Sequence, residues 1–305
     1  MKKTKVLLFT SQDIGNDVFS WMHARNGIDL TVVTQRTQRD EIYGYRATLD
    51  LCLEKGVTAL TPKRIDNTFL TEIEAMAPDL IVCAYYPRIF PRRLLAIPPL
   101  GCINVHPGLL PHYRGTFPTP WCILNNEKEI GVTLHYMDEG IDTGDILVQR
   151  LHPIGPDETG HELYKRSMKL CADLLIENFD KVLRGELTAR KQPAGGSYYN
   201  RIAPQYRIDW HQPRSEIRNQ IRVHARPYFP AHAFLLNKCV TINKASIIDF
   251  DDYRAQGAGT ICKVFENMSF VVSCVDGCLL IEDYDLFPIL RPDDIALHIR
   301  PGNRF

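Results

Sequence analysis

The stretch Asp79 to Tyr86, "DLIVCAYY", constrains the fold more than any other. It has no polar face, so a strand made from it must be covered on both sides, as the inner strands of parallel sheets are. The chain around it supplies the covers. "KVLLFT", "IDLTVVTQ", "TALTP" and "GCINVH" read as strands, whereas "DVFSWMHAR", "YGYRATLDLCLEKG" (closed by Gly56) and "FLTEIEAMAP" read as helices. That alternation predicts an α/β architecture, a parallel sheet with crossover helices. After Lys128 the pattern changes. "EIGVTLHYMDEGIDTGDILVQRLHPI" reads as two strands around a tight acidic turn, and "HELYKRSMKLCADLLIENFDKVLRG" as a long amphipathic helix ending at Gly185.

The segment "TARKQPAGGSYYNRIAPQ" is rich in Gly, Pro and polar residues and reads as a linker. Beyond it, "YRIDWHQPRSEIRNQIRVHA" contains a short helix, and "AFLLN", "CVTINKASII", "GTICKVF", "SFVVSCV" and "CLLIEDYDL" read as strands. Short strands separated by turns predict a small β domain, an open barrel. A length of 305 residues suits two domains. The expected boundaries are 1–200 and 201–305.

Lys and Arg number 36, as do Asp and Glu, so the formal charge is zero and the totals advertise no polyanionic partner. The basic start "MKKTKVLLFTSQDIG" is signal-like, but its apolar run is only Val6 to Phe9, and we read it as a first buried strand. No apolar run approaches the roughly 20 residues that span a bilayer, and the expected location is the cytoplasm. The nine cysteines are scattered and mostly in apolar contexts, as reduced core thiols are. Cys274 and Cys278 are a close pair with no second pair or His cluster to complete a zinc site, so no metal is expected.

The candidate chemistry lies in "INVHPGLLPHYRG", residues Ile103 to Gly115. Asn104 and His106 are two apart on a strand and share a face, and Pro107-Gly108 then ends the ladder so that both tips stay open. The carboxyl ends of strands are where open parallel sheets place ligands. A second feature, "DEGIDTGD", gathers Asp138, Glu139, Asp142 and Asp145 in one turn. Its acids lack the alternating spacing and closing Glu of a calcium loop, so either it is a solvated acidic turn or one carboxylate holds the His106 imidazole. An Asn donor, a His and an orienting carboxylate form a kit for acyl transfer. With no nucleophilic Ser or Cys in an elbow, the kit suits direct attack by a substrate amine.

At these residues the sequence closely resembles the folate-dependent formyltransferase family, which includes methionyl-tRNA formyltransferase and the sugar-nucleotide N-formyltransferases. Asn-x-His, Leu-Leu-Pro-x-Tyr-Arg-Gly and Asp-x-Gly-x-Asp-Thr-Gly-Asp follow in order at family spacing. The resemblance covers nearly the whole chain and implies a Rossmann-like formyltransferase domain. A smaller β-rich, OB-like domain would follow, from near "RIDW" to "RPGNRF". It implies that Asn104 and His106 are the catalytic pair, stabilising the oxyanion as an amine attacks the formyl carbon of 10-formyltetrahydrofolate. Asp142 would be the carboxylate that favours the charged imidazole. The pterin would lie against Arg88, Ile89 and Phe90 and the turn Asp138, Glu139, Gly140, Ile141 and Asp142. Where the family usually carries Ser, this chain has Gly108, a departure that implies a subfamily difference.

For the acceptor, the resemblance to the sugar-nucleotide enzymes is favoured. The stretch "TQRTQRDEIYGYRATLDLCLEKG" lacks the basic insertion of the tRNA enzymes and resembles instead the sugar-nucleotide enzymes, particularly that of lipopolysaccharide (lipid A) modification, and "DLIVCAYYPRIF" and "YYNRIAPQYRIDW" are also similar to sugar enzymes. The basic residues of the second domain are matched by acids, including the runs Asp249 to Asp252 and Glu282 to Asp285, which argues against a nucleic-acid partner. Conversely, "RPGNRF" and the full second domain resemble the tRNA enzymes. Tyr199, Asn200 and Arg201, with Arg222, Arg226 and Tyr228, are candidate contacts for a nucleotide diphosphate. For Arg222 and Arg226 a solvated helix end is the competing reading. The alternatives are methionyl-tRNA, a hydroxyornithine or peptidyl amine, and water, which would make the chain a hydrolase. No membrane partner is implied, and the resemblance is compatible with a homodimer.

Overall fold

The computed structural model describes residues 3–36, 46–200, 206–250, 256–288 and 292–305. In chain order the first elements are β1 (Thr4–Thr10), α1 (Gln12–His23), β2 (Ile28–Val33), α2 (Thr48–Lys55), β3 (Ala59–Leu60), α3 (Asn67–Met76) and β4 (Leu80–Ala84). Then come α4 (Arg92–Leu95), β5 (Cys102–His106), β6 (Arg114–Gly115), α5 (Pro118–Leu124), β7 (Glu129–Tyr136), β8 (Ile146–Pro153), α6 (Gly160–Leu183) and β9 (Tyr198–Tyr199). The last are α7 (Arg214–His224), β10 (Ala231–Leu235), β11 (Lys238–Ile248), β12 (Ile261–Val264), β13 (Phe270–Cys274), β14 (Gly277–Phe287) and α8 (Pro292–His298).

The chain divides into two compact units: Met1–Thr119 with Glu129–Pro153 and Lys165–Asn200, and Pro120–Lys128 with Ile154–Tyr164 and Arg201–Phe305. The first unit carries a seven-stranded sheet in the order β3-β2-β1-β4-β5-β7-β8. Strands β1 to β5 run parallel, and β7 and β8 continue the sheet antiparallel. Every residue of β4 is buried, as its lack of a polar face requires. Phe9, Phe69, Tyr86 and Phe90 pack with Leu7, Ile73, Ile81 and Leu94 in a core against this sheet. Helix α2 ends where expected, with Gly56 in the left-handed region at φ 64°.

The second unit holds a five-stranded antiparallel sheet, order β10-β11-β14-β13-β12. Its core gathers Ile217 and Ile221 of α7 with Val240, Ile242, Phe270, Leu279 and Ile281 of the sheet. Trp210 is 5% exposed and packs on Phe305 in that core. All nine cysteines are unpaired, seven of them buried. Among the described residues no helix is long and apolar enough to cross a membrane.

Candidate active site

Strand β5 delivers Asn104 and His106 to the carboxyl end of the sheet. Its antiparallel register with β7 sets His135 opposite Asn104 and Thr133 opposite His106, and directly opposed residues stand side by side on one face. Asn104 Nδ2 lies 3.1 Å from His135 Nε2. His135 Nδ1 is 2.7 Å from the Tyr136 carbonyl oxygen. A carbonyl only accepts, so Nδ1 carries the proton and Nε2 is left to accept from the Asn104 amide.

Asp142, in the turn between β7 and β8, faces both imidazoles. Oδ2 is 3.5 Å from His106 Nδ1, Oδ1 is 3.6 Å from His135 Nε2, and Asn104 Nδ2 is 3.4 Å from Oδ1. The Gly115 N–H donates to Oδ2 at 2.9 Å. Burial works against ionising Asp142, but the His106 charge and the Gly115 N–H outweigh it and hold the carboxyl well below the usual carboxylate range. His106 is 4% exposed, and its Nε2 donates to the Tyr113 carbonyl oxygen at 2.7 Å. Both ring nitrogens therefore face acceptors, the arrangement that a charged imidazolium satisfies.

Gly108 makes this placement possible. A β-carbon there would stand 2.7 Å from both His106 Nε2 and Tyr113 O, so space rather than backbone angle calls for glycine. Thr133 Oγ1 donates to Gly108 O at 2.7 Å and fixes the turn after β5. Gly115, at φ 94°, lies in a conformation that favours glycine, with its N–H turned to Asp142.

The remaining expected contacts divide. Ile89 and Ile141 are 68% and 48% exposed, and an Arg92–Glu139 ion pair of 3.2 Å ties their two segments together. Asp138 is turned inward to Gly140 N and Thr143 Oγ1 within its own turn, and Arg88 donates to the Lys63 carbonyl. Phe90 has a ring 2% exposed that packs 4.6 Å from Phe9, so its backbone is the part that faces outward to a ligand. Tyr199 stacks on Tyr113 at 5.1 Å, and Asn200 is exposed beside it. Arg201 lies outside the described residues, as do 37–45 of the stretch compared with the tRNA enzymes' insertion and Asp251 and Asp252 of the acidic run.

Arg222 and Arg226, the arginines expected near a diphosphate, have protein partners. Arg222 donates through Nε to Asn219 and through Nη1 to the carbonyls of Gly155, Pro156 and Glu158. Burial lowers its pKa. Arg226 pairs with Asp283 and Asp285. Both guanidiniums thus serve contacts inside the second unit. Tyr228 sits edge-on to His161 at 5.5 Å.

The segment read as a linker is part of the site's framework. Strand β9 pairs with β6, and Arg190 bridges to Ile146. Sequence reasoning passed over His135, although "VTLHY" read as a strand places it on the face of Thr133. Its approach to Asn104 depends on a register that the pattern does not give.

The formyl transferase model matches residues 15–179 and the formyl transferase C-terminal domain model matches 201–286. The chain belongs to the formyl transferase family. It is 34% identical to the methionyl-tRNA formyltransferase of Caldanaerobacter subterraneus subsp. tengcongensis over 263 residues, 84% of each chain. To that of Geobacter sulfurreducens it is 37% identical over 242 residues, 78% of this chain and 72% of the relative. Among solved structures, a sugar 3N-formyl transferase in the presence of dTDP and 5-N-formyl-THF superposes with a TM-score of 0.73 at 22% identity, covering 95% of this chain and all of that one. The N-formyltransferase of Helicobacter canadensis, in complex with folinic acid and dTDP-3-aminofucose, also gives 0.73 at 22% identity, over 93% of this chain and 100% of its own. At that identity the two share the fold with this formyl transferase.

Proposed function

We propose that this formyl transferase moves a formyl group from 10-formyltetrahydrofolate to the amino group of a nucleotide-linked amino sugar. The folate supplies the activated formyl carbon. Asn104 Nδ2 would turn a hydrogen from its long 3.4 Å contact with Asp142 to the formyl oxygen as its carbon gains a bond to the amine, the His106 charge would stabilise that oxygen electrostatically, and Asp142 holds His106 and assists the proton transfers. The attacking amine loses a proton, the bond from the formyl carbon to the folate nitrogen breaks, and that nitrogen takes up a proton. The exposed Ile89 and Ile141 side chains fit an apolar ring. Those residues, with Arg88 and the Phe90 backbone, would hold the pterin. Tyr199 and Asn200 are the described candidates for the nucleotide.

The observation that carries the acceptor class is the charge pairing of the second unit. Arg214, Arg218, Arg226 and Lys244 each pair with a carboxylate, Asp249, Asp157, Asp283 with Asp285, and Glu282. A tRNA partner draws most of its affinity from cations free to neutralise phosphates, and these four already have anionic partners. The ligands of the two solved sugar enzymes support the same reading. Identity of 34% to 37% with methionyl-tRNA formyltransferases favours the second reading, transfer to charged initiator tRNA.

A thermal-shift screen of uridine, thymidine and guanosine diphosphates and their amino sugars tests the assignment. A ligand at 100 times its Kd adds about 2.7 kcal/mol to the folded state, a shift of a few degrees. One nucleotide family should produce it. A shift with tRNA alone would contradict the sugar reading.

A further inference from the structure

We propose that Gln192 is a positioning residue for Asp142, its amide tying the turn that carries the carboxylate to the buried Arg114 beside Gly115. Arg114 is 6% exposed, and among the described residues no ion pair links it to a carboxylate. Its guanidinium is met by neutral acceptors. Nε and Nη2 donate to Gln192 Oε1 at 3.2 and 2.6 Å, and Nη1 to Gly195 O and Tyr198 Oη at 3.3 and 3.1 Å. The other end of the same amide faces the active-site turn. Gln192 Nε2 donates to the carbonyls of Asp142 and Gly144, each at 2.8 Å.

A primary amide has two donors and an acceptor with two lone pairs, and Gln192 uses all of them. Its two halves act on the same carboxylate from opposite sides. The carbonyl end holds the Arg114–Gly115 segment, whose Gly115 N–H donates to Asp142 Oδ2 at 2.9 Å. The NH2 end holds the backbone of Asp142 itself, which sits at φ 54°, in the left-handed region that is uncommon for residues with a side chain although Asp is among those enriched there. Gln192 is fifty residues from Asp142 in the chain. Its partners therefore fix the distance between the two segments that meet at the carboxylate.

The inference rests on the reading of Asp142 as a reaction-site group. Gln192→Glu is the discriminating change, because it keeps length and the acceptor for Arg114 but removes both donors and turns an anionic oxygen on two carbonyls. Misplacement by about 1 Å can cost about 100-fold. We expect kcat to fall about 10- to 100-fold with the acceptor KM within about threefold. The Gly115 amide proton resonance should move, and in an Asp142→Asn background the further loss should shrink below about twofold. Gln192→Met, of similar length and without hydrogen bonds, carries the same test if the Glu variant does not fold. Turnover within threefold of the parent enzyme, or an unmoved Gly115 resonance, would overturn the proposal. Full activity in Asp142→Asn alone would defeat the reading of the site, while the Gly115 resonance would still decide whether Gln192 positions the turn.

Discussion

Replacing Gly108 with alanine tests how the imidazole is held. The new β-carbon would stand 2.7 Å from His106 Nε2, 2.9 Å from Cδ2 and 2.7 Å from Tyr113 O. Optimal heavy-atom separations begin near 3.5 Å, so ring and carbonyl must each give way by roughly 0.8 Å. The 2.7 Å bond between them cannot survive that displacement. His106, 4% exposed, would then have one unsatisfied nitrogen and a ring displaced from Asp142. A hydrogen bond to a charged group contributes about 1.5–3 kcal/mol. As lost transition-state stabilisation this corresponds to about a 10- to 150-fold drop in kcat/KM. Initial rates against acceptor concentration at saturating formyl donor, with a thermal midpoint as control for folding, measure it. Gly108→Ser adds a hydroxyl that can donate to Tyr113 O, and it should recover part of the loss. An alanine variant within threefold of the parent enzyme would show that the Tyr113 contact does not position His106.

Two pH predictions follow from buried groups. Asp142 is held below the usual carboxylate range, so its ionised form and the stability it confers persist above its ordinary pKa and disappear only as pH falls through its lower folded value. The acid limb of kcat/KM above pH of about 4 should therefore follow protonation of the attacking amine. A rate flat from neutrality to about pH 6.5 would refute a limiting free-base amine. His224 is buried beside the Tyr206 ring, and burial pushes its pKa down from 6.5 to about 4. The unfolded chain takes the proton first, so the contribution is complete above pH 6.5 and declines as pH falls toward 4. By pH 5 the loss is about 2 kcal/mol. Urea unfolding at pH 7 and pH 5 should show that difference shrinking in His224→Phe, and an unchanged difference would refute it.

The fold was legible where burial pattern decides it. The apolar run of β4 and the alternation around it determine a covered parallel sheet, and Asn104 and His106 follow at a strand end because residues two apart share a face. What stayed hidden depends on distance along the chain. The register that sets His135 against Asn104 has no local signature. The four-bond amide of Gln192 reaches partners 48 to 78 positions away from inside a segment whose Gly and Pro content reads as a linker. The surroundings of Phe90 and of the two arginines were not legible. An aromatic or cationic side chain suits a ligand or a core equally well until its neighbours are known, and here those neighbours are Phe9, the carbonyls at 155–158, and the acids of β14.

The acceptor is the central claim, and a direct competition tests it. The enzyme is supplied with 10-formyltetrahydrofolate carrying a labelled formyl group, together with charged initiator tRNA and a mixture of uridine- and thymidine-diphosphate amino sugars at equal amine concentration. The account predicts label in the amide of a nucleotide sugar, with tRNA unlabelled at moderate salt. Label in methionyl-tRNA and none in any sugar would contradict it.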